Sequence, residues 1–111
     1  MNERVDVNEI DVETLDRYLA SGAPLIDVRQ PDEYVTAHVP GARLMPMDEL
    51  PELIDDIPTE VPLYLICQSG GRSHRAAEWL LAQGYEASNV AGGTAAWIEA
   101  GKPTVSGSEP S

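Results

Sequence analysis

The chain has no Phe and one Cys, and its 111 residues include only seven Lys plus Arg against 19 Asp plus Glu. Each scarcity excludes something. Without Phe, and with aromatics at 5%, a core has to be built mainly from aliphatic side chains. A single thiol rules out an internal disulfide and any multi-cysteine metal site, and it suits a reducing compartment, so a cytoplasmic location is expected. The formal net charge of −12 repels phosphate backbones and anionic lipid headgroups, which argues against nucleic acid and membrane surfaces as partners. No run approaches the ~20 apolar residues needed to span a bilayer. Met1 to Ile10 carries charges throughout and has no apolar stretch, so no secretory signal is expected. With two His and no clustered ligands, no metal site or cofactor is expected either.

What is present fits one domain, since 42% of the residues are apolar and the length matches a single core. Leu25 to Val28 and Pro62 to Cys67 are short apolar runs, the pattern of strands buried on both faces. Arg4 to Val7, Ala42 to Met45 and Ser88 to Ala91 read as weaker strands. Helical spacing lies between them. Asp11 is placed to cap a helix carrying Leu15, Tyr18 and Leu19 on one face, with Gly22 stopping it. Ser73 is placed to cap another, with Ala76, Ala77, Leu80 and Leu81 as its buried stripe and Gly84 at its end. Asp48 to Ile54 reads as a short helix and Thr94 to Ala100 as the last one. Strands alternating with helices predict an α/β fold, with a parallel sheet covered on both faces. A domain over 1–103 is expected. Past Lys102 the composition turns to Pro, Ser, Gly and Glu without apolar period, and 104–111 is expected to be a mobile tail.

The chemistry points to Ile66-Cys67-Gln68-Ser69-Gly70-Gly71-Arg72-Ser73, where a buried strand ends, a loop follows and a helix begins. Ligands in open α/β sheets sit beyond the carboxyl ends of the strands. Gly70 and Gly71 permit backbone angles that turn several N–H groups toward one centre, and the helix start adds unpaired N–H groups with partial positive charge. The result is an anion cradle around sulfur. A free Cys titrates near ~8.5, leaving about 3% thiolate at neutral pH, and a helix start with a neighbouring Arg lowers that value. Between Leu44 and Gly101 the only cations are Arg72 and Arg75, against nine carboxylates. Both cations flank this loop. A cation in the first helical turn opposes the dipole, so helix stability alone does not explain them. Cys67 is the candidate nucleophile, Gln68, Ser69, Gly70, Gly71, Arg72 and Ser73 the anion-binding loop, and His74 and Arg75 its rim. His38 and the pair Asp27 and Arg29 read as structural supports.

Three ordered motifs carry a resemblance over about residues 4 to 103. Leu25-Ile26-Asp27-Val28-Arg29-Gln30-Pro31-Asp32-Glu33-Tyr34 with His38-Val39-Pro40-Gly41-Ala42, then Cys67 to Ser73, then Gly84-Tyr85, Val90-Ala91-Gly92-Gly93 and Ala96-Trp97 together resemble a single-domain rhodanese of the sulfurtransferase family. Ala37 departs from the Gly common before the His in that family. The resemblance implies a five-stranded parallel sheet with helices on both faces. It also implies that Cys67 takes a sulfane sulfur from a donor such as thiosulfate, becomes a persulfide and passes the sulfur to a thiol or cyanide, with the loop amides from Gln68 to Arg72 holding the anion; on the distribution of charge, Arg72 is expected as the chief charged contributor and Arg75 as a secondary one at the mouth. Having no second Cys, the chain needs an external acceptor, which a partner protein could also supply. Two other readings stand beside this one. A persulfide carrier would use the same thiol without turning over small donors. A Cys-dependent phosphatase or arsenate reductase would need a loop one residue longer than the four residues between Cys67 and Arg72.

Overall fold

The computed structural model describes residues 6–111. Asp11 accepts a hydrogen bond from the Thr14 N–H at 2.8 Å and so opens helix α1 (Val12–Ala20), which follows strand β1 (Asn8–Ile10). Strand β2 (Leu25–Asp27) leads to helix α2 (Pro31–Thr36), strand β3 (Arg43–Leu44) and helix α3 (Leu50–Leu53). Strand β4 (Leu63–Ile66), helix α4 (Gly71–Ala82), strand β5 (Ala87–Val90) and helix α5 (Gly93–Glu99) complete the order. The five strands form one parallel sheet in the order β1-β5-β4-β2-β3. This is the expected α/β architecture.

Alternation along β4 divides the interior in two. Leu63, Leu65 and Cys67 face a cluster with Ile26, Met45, Leu50, Ala76, Ala77 and Leu80, so α3 and α4 cover that side. Ile66 faces Ile10, Leu15, Leu25, Tyr34, Val90 and Trp97, so α1, α2 and α5 cover the other. Each fully buried Leu contributes roughly 1.5–3 kcal/mol relative to exposure. Both faces are closed, which explains why β2 and β4 lack polar alternation.

Several elements differ from the sequence reading. The expected first strand is displaced: β1 begins at Asn8, Asp6 and Val7 precede it, and Arg4 and Val5 lie outside the described residues. At a sheet edge polar residues pair without cost, and Asn8 donates to the Ser88 hydroxyl at 3.2 Å. The helix expected over Asp48 to Ile54 is broken into a 3₁₀ turn at Met47–Glu49, the single turn of α3, and a second 3₁₀ turn at Ile54–Asp56. Pro51 has no N–H to give the carbonyl four residues back, so a continuous helix cannot run through it. In α1, Leu15 is buried, while Tyr18 lies at the surface with its ring 5.3 Å from that of Tyr64. Helix α2 was not legible in the apolar pattern, although Pro31 at its first turn is a favoured starter.

The segment after Lys102, for which composition predicts a mobile tail, is held by specific bonds. His38 and Val105 exchange two backbone hydrogen bonds of 2.9 Å, Trp97 donates its indole N–H to the Pro103 carbonyl at 2.7 Å, and Gly107 N–H reaches Val35 at 2.9 Å. The buried His38 ring stacks on Tyr34 and lies 2.8 Å from the Tyr34 carbonyl and 2.9 Å from that of Glu109. Most of these contacts end on backbone groups, which composition does not encode. Among the described residues no helix is long and apolar enough to cross a membrane.

Candidate active site

Cys67 follows the last residue of β4 at the carboxyl edge of the sheet, with β2 and β5 on either side. Its side chain is only 1% exposed. The loop after it turns back so that the Gly70 N–H donates to Sγ at 3.1 Å, while the Ser73 hydroxyl lies 3.2 Å from the same sulfur. Gly70 adopts φ +109°, a conformation that side chains resist, and it is this residue that directs its N–H inward. Gly71 has ordinary helical angles and open space where a Cβ would stand, so the conformational freedom expected of it is not used.

Ser73 corrects a second expectation. The cap position of α4 is Gly70, and Ser73 sits within the first helical turn. Its hydroxyl serves the thiol and the Asn89 side chain instead, at 3.2 and 2.5 Å. The first backbone bond of α4 runs from His74 N–H to the Gly70 carbonyl, so the N–H groups before it have no helical acceptor and face the loop. Burial pushes the Cys67 thiol up, and the Ser73 hydroxyl with the backbone N–H groups of Ser73, Gly70 and Ser69 together pull it below the ordinary thiol value. Hydrogen bonding outweighs desolvation. The thiolate is the favoured species of this site relative to a free Cys.

The cations are arranged differently from the sequence expectation. The sequence puts Arg72 forward as the chief charge facing the anion, but both its terminal nitrogens bind Glu33 of α2 at 2.8 Å. That fork neutralises much of its charge. Glu33 is correspondingly held down to about 2, chiefly by the Arg72 hydrogen bonds. Arg75 is exposed on α4. His74 sits at the rim with Nδ1 2.6 Å from Glu9. Gln68 and Ser69 are exposed at the mouth.

The brace formed by Asp27 and Arg29 is buried and reaches the loop itself. Arg29 donates to both Asp27 oxygens, to the Ala37 carbonyl at 2.8 Å and to the Gln68 side chain at 3.1 Å. Alone, a buried charge of this kind would be costly; fully paired, it fixes the first residue of the loop. A cavity of about 350 Å³ opens here, lined by Arg29, Glu33, Thr36, Gln68, Thr94 and Ile98.

Residues that the sequence reading did not assign to the site hold the loop from below. The Thr94 N–H and hydroxyl both donate to the Cys67 carbonyl, at 2.8 and 3.0 Å, and the Ala95 N–H donates to the Gln68 carbonyl at 3.0 Å. Because the start of α5 takes these carbonyls, the loop turns its amides the other way. Glu33, Asn89 and Thr94 were equally absent from that reading. The Gly92-Gly93 pair at the β5–α5 turn was the one available signal.

Residues 11–100 match the family described as Rhodanese-like domain. A sulfurtransferase of Allochromatium vinosum is 38% identical over 102 residues, spanning 89% of this chain and 95% of its relative. Three further curated relatives are longer proteins, of which the chain spans 60%, 36% and 64%. Among solved structures, a rhodanese-related protein of Thermoplasma volcanium superposes with a TM-score of 0.83 at 30% identity, covering 88% of this chain and 97% of the other. The human single-domain sulfurtransferase TSTD1 gives a TM-score of 0.77 at 29% identity, covering 85% and 97%. Both are similar in extent as well as fold. On the family match, which takes in α1 through α5 and the whole Cys67 loop, the chain belongs to the rhodanese-like domain family.

Proposed function

We propose that this chain is a sulfurtransferase in which the Cys67 thiolate attacks the outer sulfur of thiosulfate. The new S–S bond forms as the bond within thiosulfate breaks, sulfite leaves with the electron pair, and Cys67 becomes a persulfide. A thiolate or cyanide then attacks the outer sulfur, leaves as persulfide or thiocyanate, and returns Cys67 to its thiolate. Atoms and charge balance in both steps. The observation that carries this reading is the sulfur itself, enclosed by the Gly70 N–H and the Ser73 hydroxyl at 3.1 and 3.2 Å, with the Ser69 and Ser73 N–H groups also acting on it.

Burial favours the same scheme. With Cys67 only 1% exposed, a persulfide would present its transferable sulfur at the end of an S–S bond about 2 Å long, so that an acceptor attacks the outer atom and not the enclosed Sγ. The cavity beside Gln68 supplies room for either reactant. With four residues between Cys67 and Arg72, the cradle is shorter than the one expected of a phosphatase. Because Cys67 is the only Cys, the two half-reactions are separate and ping-pong kinetics follow.

Intact-mass measurement before and after thiosulfate tests the proposal. A gain of one sulfur atom, absent in Cys67→Ser and removed by cyanide as thiocyanate, is the expected result. Hydrolysis of a phosphate ester with no sulfur uptake would overturn it, and sulfur uptake without release to cyanide would make the domain a carrier.

A further inference from the structure

One proton has three acceptors around the Ser73 hydroxyl. Asn89 Oδ1 lies 2.5 Å away, Cys67 Sγ 3.2 Å, and the Gly70 carbonyl 3.4 Å. The orientation of the Asn89 amide is dictated by its neighbours: its nitrogen faces both Glu9 carboxylate oxygens at 3.0 and 3.1 Å and the Gly70 carbonyl at 3.1 Å, all of them acceptors. Turning the amide over would set oxygen against oxygen. Asn89 Oδ1 therefore faces Ser73 and can only accept. Both residues are buried, Ser73 at 0% and Asn89 at 2% exposure, so water is not at hand to replace a lost donor.

While Cys67 is a thiol the arrangement is complete, because S–H donates to the Ser73 oxygen and Ser73 donates to Asn89. Loss of that proton to solvent changes the count. The thiolate calls for the Ser73 proton, and supplying it leaves Asn89 Oδ1 without a donor among the described residues. We propose that Asn89 is a positioning residue that restrains ionisation of Cys67 by competing with it for the single Ser73 hydroxyl proton. If Cys67 carries sulfur as read above, the restraint has a direction. A persulfide has neither proton nor full charge on Sγ, so Ser73 returns to Asn89, and the competition favours the loaded state over the free thiolate.

Titratable and charged groups around this triad are Glu9 of β1, Arg72 and His74 of α4, Glu33 of α2, and Asp27 and Arg29 at the end of β2. Their influence cancels in a double-mutant cycle, because the change at Glu9 that follows loss of the Asn89 amide occurs both with and without Ser73. The side effect of losing the Asn89 nitrogen also has the opposite sign, since a less well-paired Glu9 carboxylate would make ionisation of Cys67 harder.

The test is an ultraviolet titration of the thiolate, in which every signal below the tyrosine range comes from the one Cys and no sulfur donor is needed. Asn89→Leu is expected to lower the midpoint by roughly half to one pH unit. Ser73→Ala is expected to raise it, and adding Asn89→Leu to Ser73→Ala to produce no further lowering. An unchanged or raised midpoint in Asn89→Leu, or an equal lowering with and without Ser73, would overturn the proposal. Should Asn89→Leu fail to fold by circular dichroism, Asn89→Ala carries the same expectations. The result stands apart from sulfur transfer, whose failure would show in the mass measurement and leave this titration intact.

Discussion

Gly93 lies so close beneath Cys67 that a Cβ on it would stand 2.5 Å from the Cys67 carbonyl oxygen and 2.7 Å from that of Gln68. Its φ of +60° disfavours a side chain as well. The obstructing atoms are backbone, not the flexible end of a side chain, so the loop itself has to move. This glycine lets the start of α5 come close enough for the Thr94 and Ala95 bonds to hold the loop that carries Cys67.

Gly93→Ala should therefore separate loop geometry from chain stability. The expected outcome is a loss of roughly tenfold or more in kcat for thiosulfate with cyanide, since small displacements of reacting groups are costly. A drop of about 1–3 kcal/mol in unfolding free energy accompanies it. Steady-state kinetics and urea denaturation measure the two. Wild-type kcat in a destabilised variant would show that the loop position does not depend on this contact.

Glu33 and Arg72 predict an acid-side effect. The folded carboxyl is depressed from 4.5 to about 2, so the contribution is complete above the unfolded value and is lost as pH falls from 4.5 toward 2. Both side chains are about one-third exposed, which reduces the net contribution to about 1 kcal/mol or less. Thermal midpoints of Glu33→Gln should thus fall less steeply than those of the parent across that window. With Glu33 neutral, Arg72 recovers its full charge toward the loop, so the KM for thiosulfate should also fall. Identical acid slopes would show the pair to be energetically silent.

Removal of 104–111 tests whether the terminal segment belongs to the fold. It deletes the paired bonds between His38 and Val105 and strips the buried His38 ring of the Glu109 and Pro110 carbonyls. Leaving such a group unpaired costs about 1–3 kcal/mol. For a domain of this size each kcal/mol lowers Tm by about 4–8 °C, so calorimetry should show a clear decrease. Slow amide exchange at Val105 and Gly107 in the full chain is the companion expectation. An unchanged Tm with rapid exchange at both would mark the segment as the mobile tail its composition suggests.

Features that rest on neighbours along the chain can be read from residue order alone. The apolar runs around Ile26 and Leu65 read as strands covered on both faces, the spacing of Ala76, Ala77 and Leu80 as a helix with one buried stripe, and Cys67 at a strand end before a glycine loop as the candidate nucleophile. Local periodicity and local turn chemistry are written in order, so they can be read in order. Partners distant along the chain are another matter, since only folding brings them together. Arg72 meets Glu33 across 39 positions, Ser73 meets Asn89 across 16, and the Cys67 carbonyl meets Thr94 across 27. A charge or hydroxyl has no partner until folding supplies one. The few cations of an acidic chain looked free to hold an anion, and folding assigned Arg72 to a carboxylate, leaving hydrogen-bond donors around Cys67 to stabilise its charge.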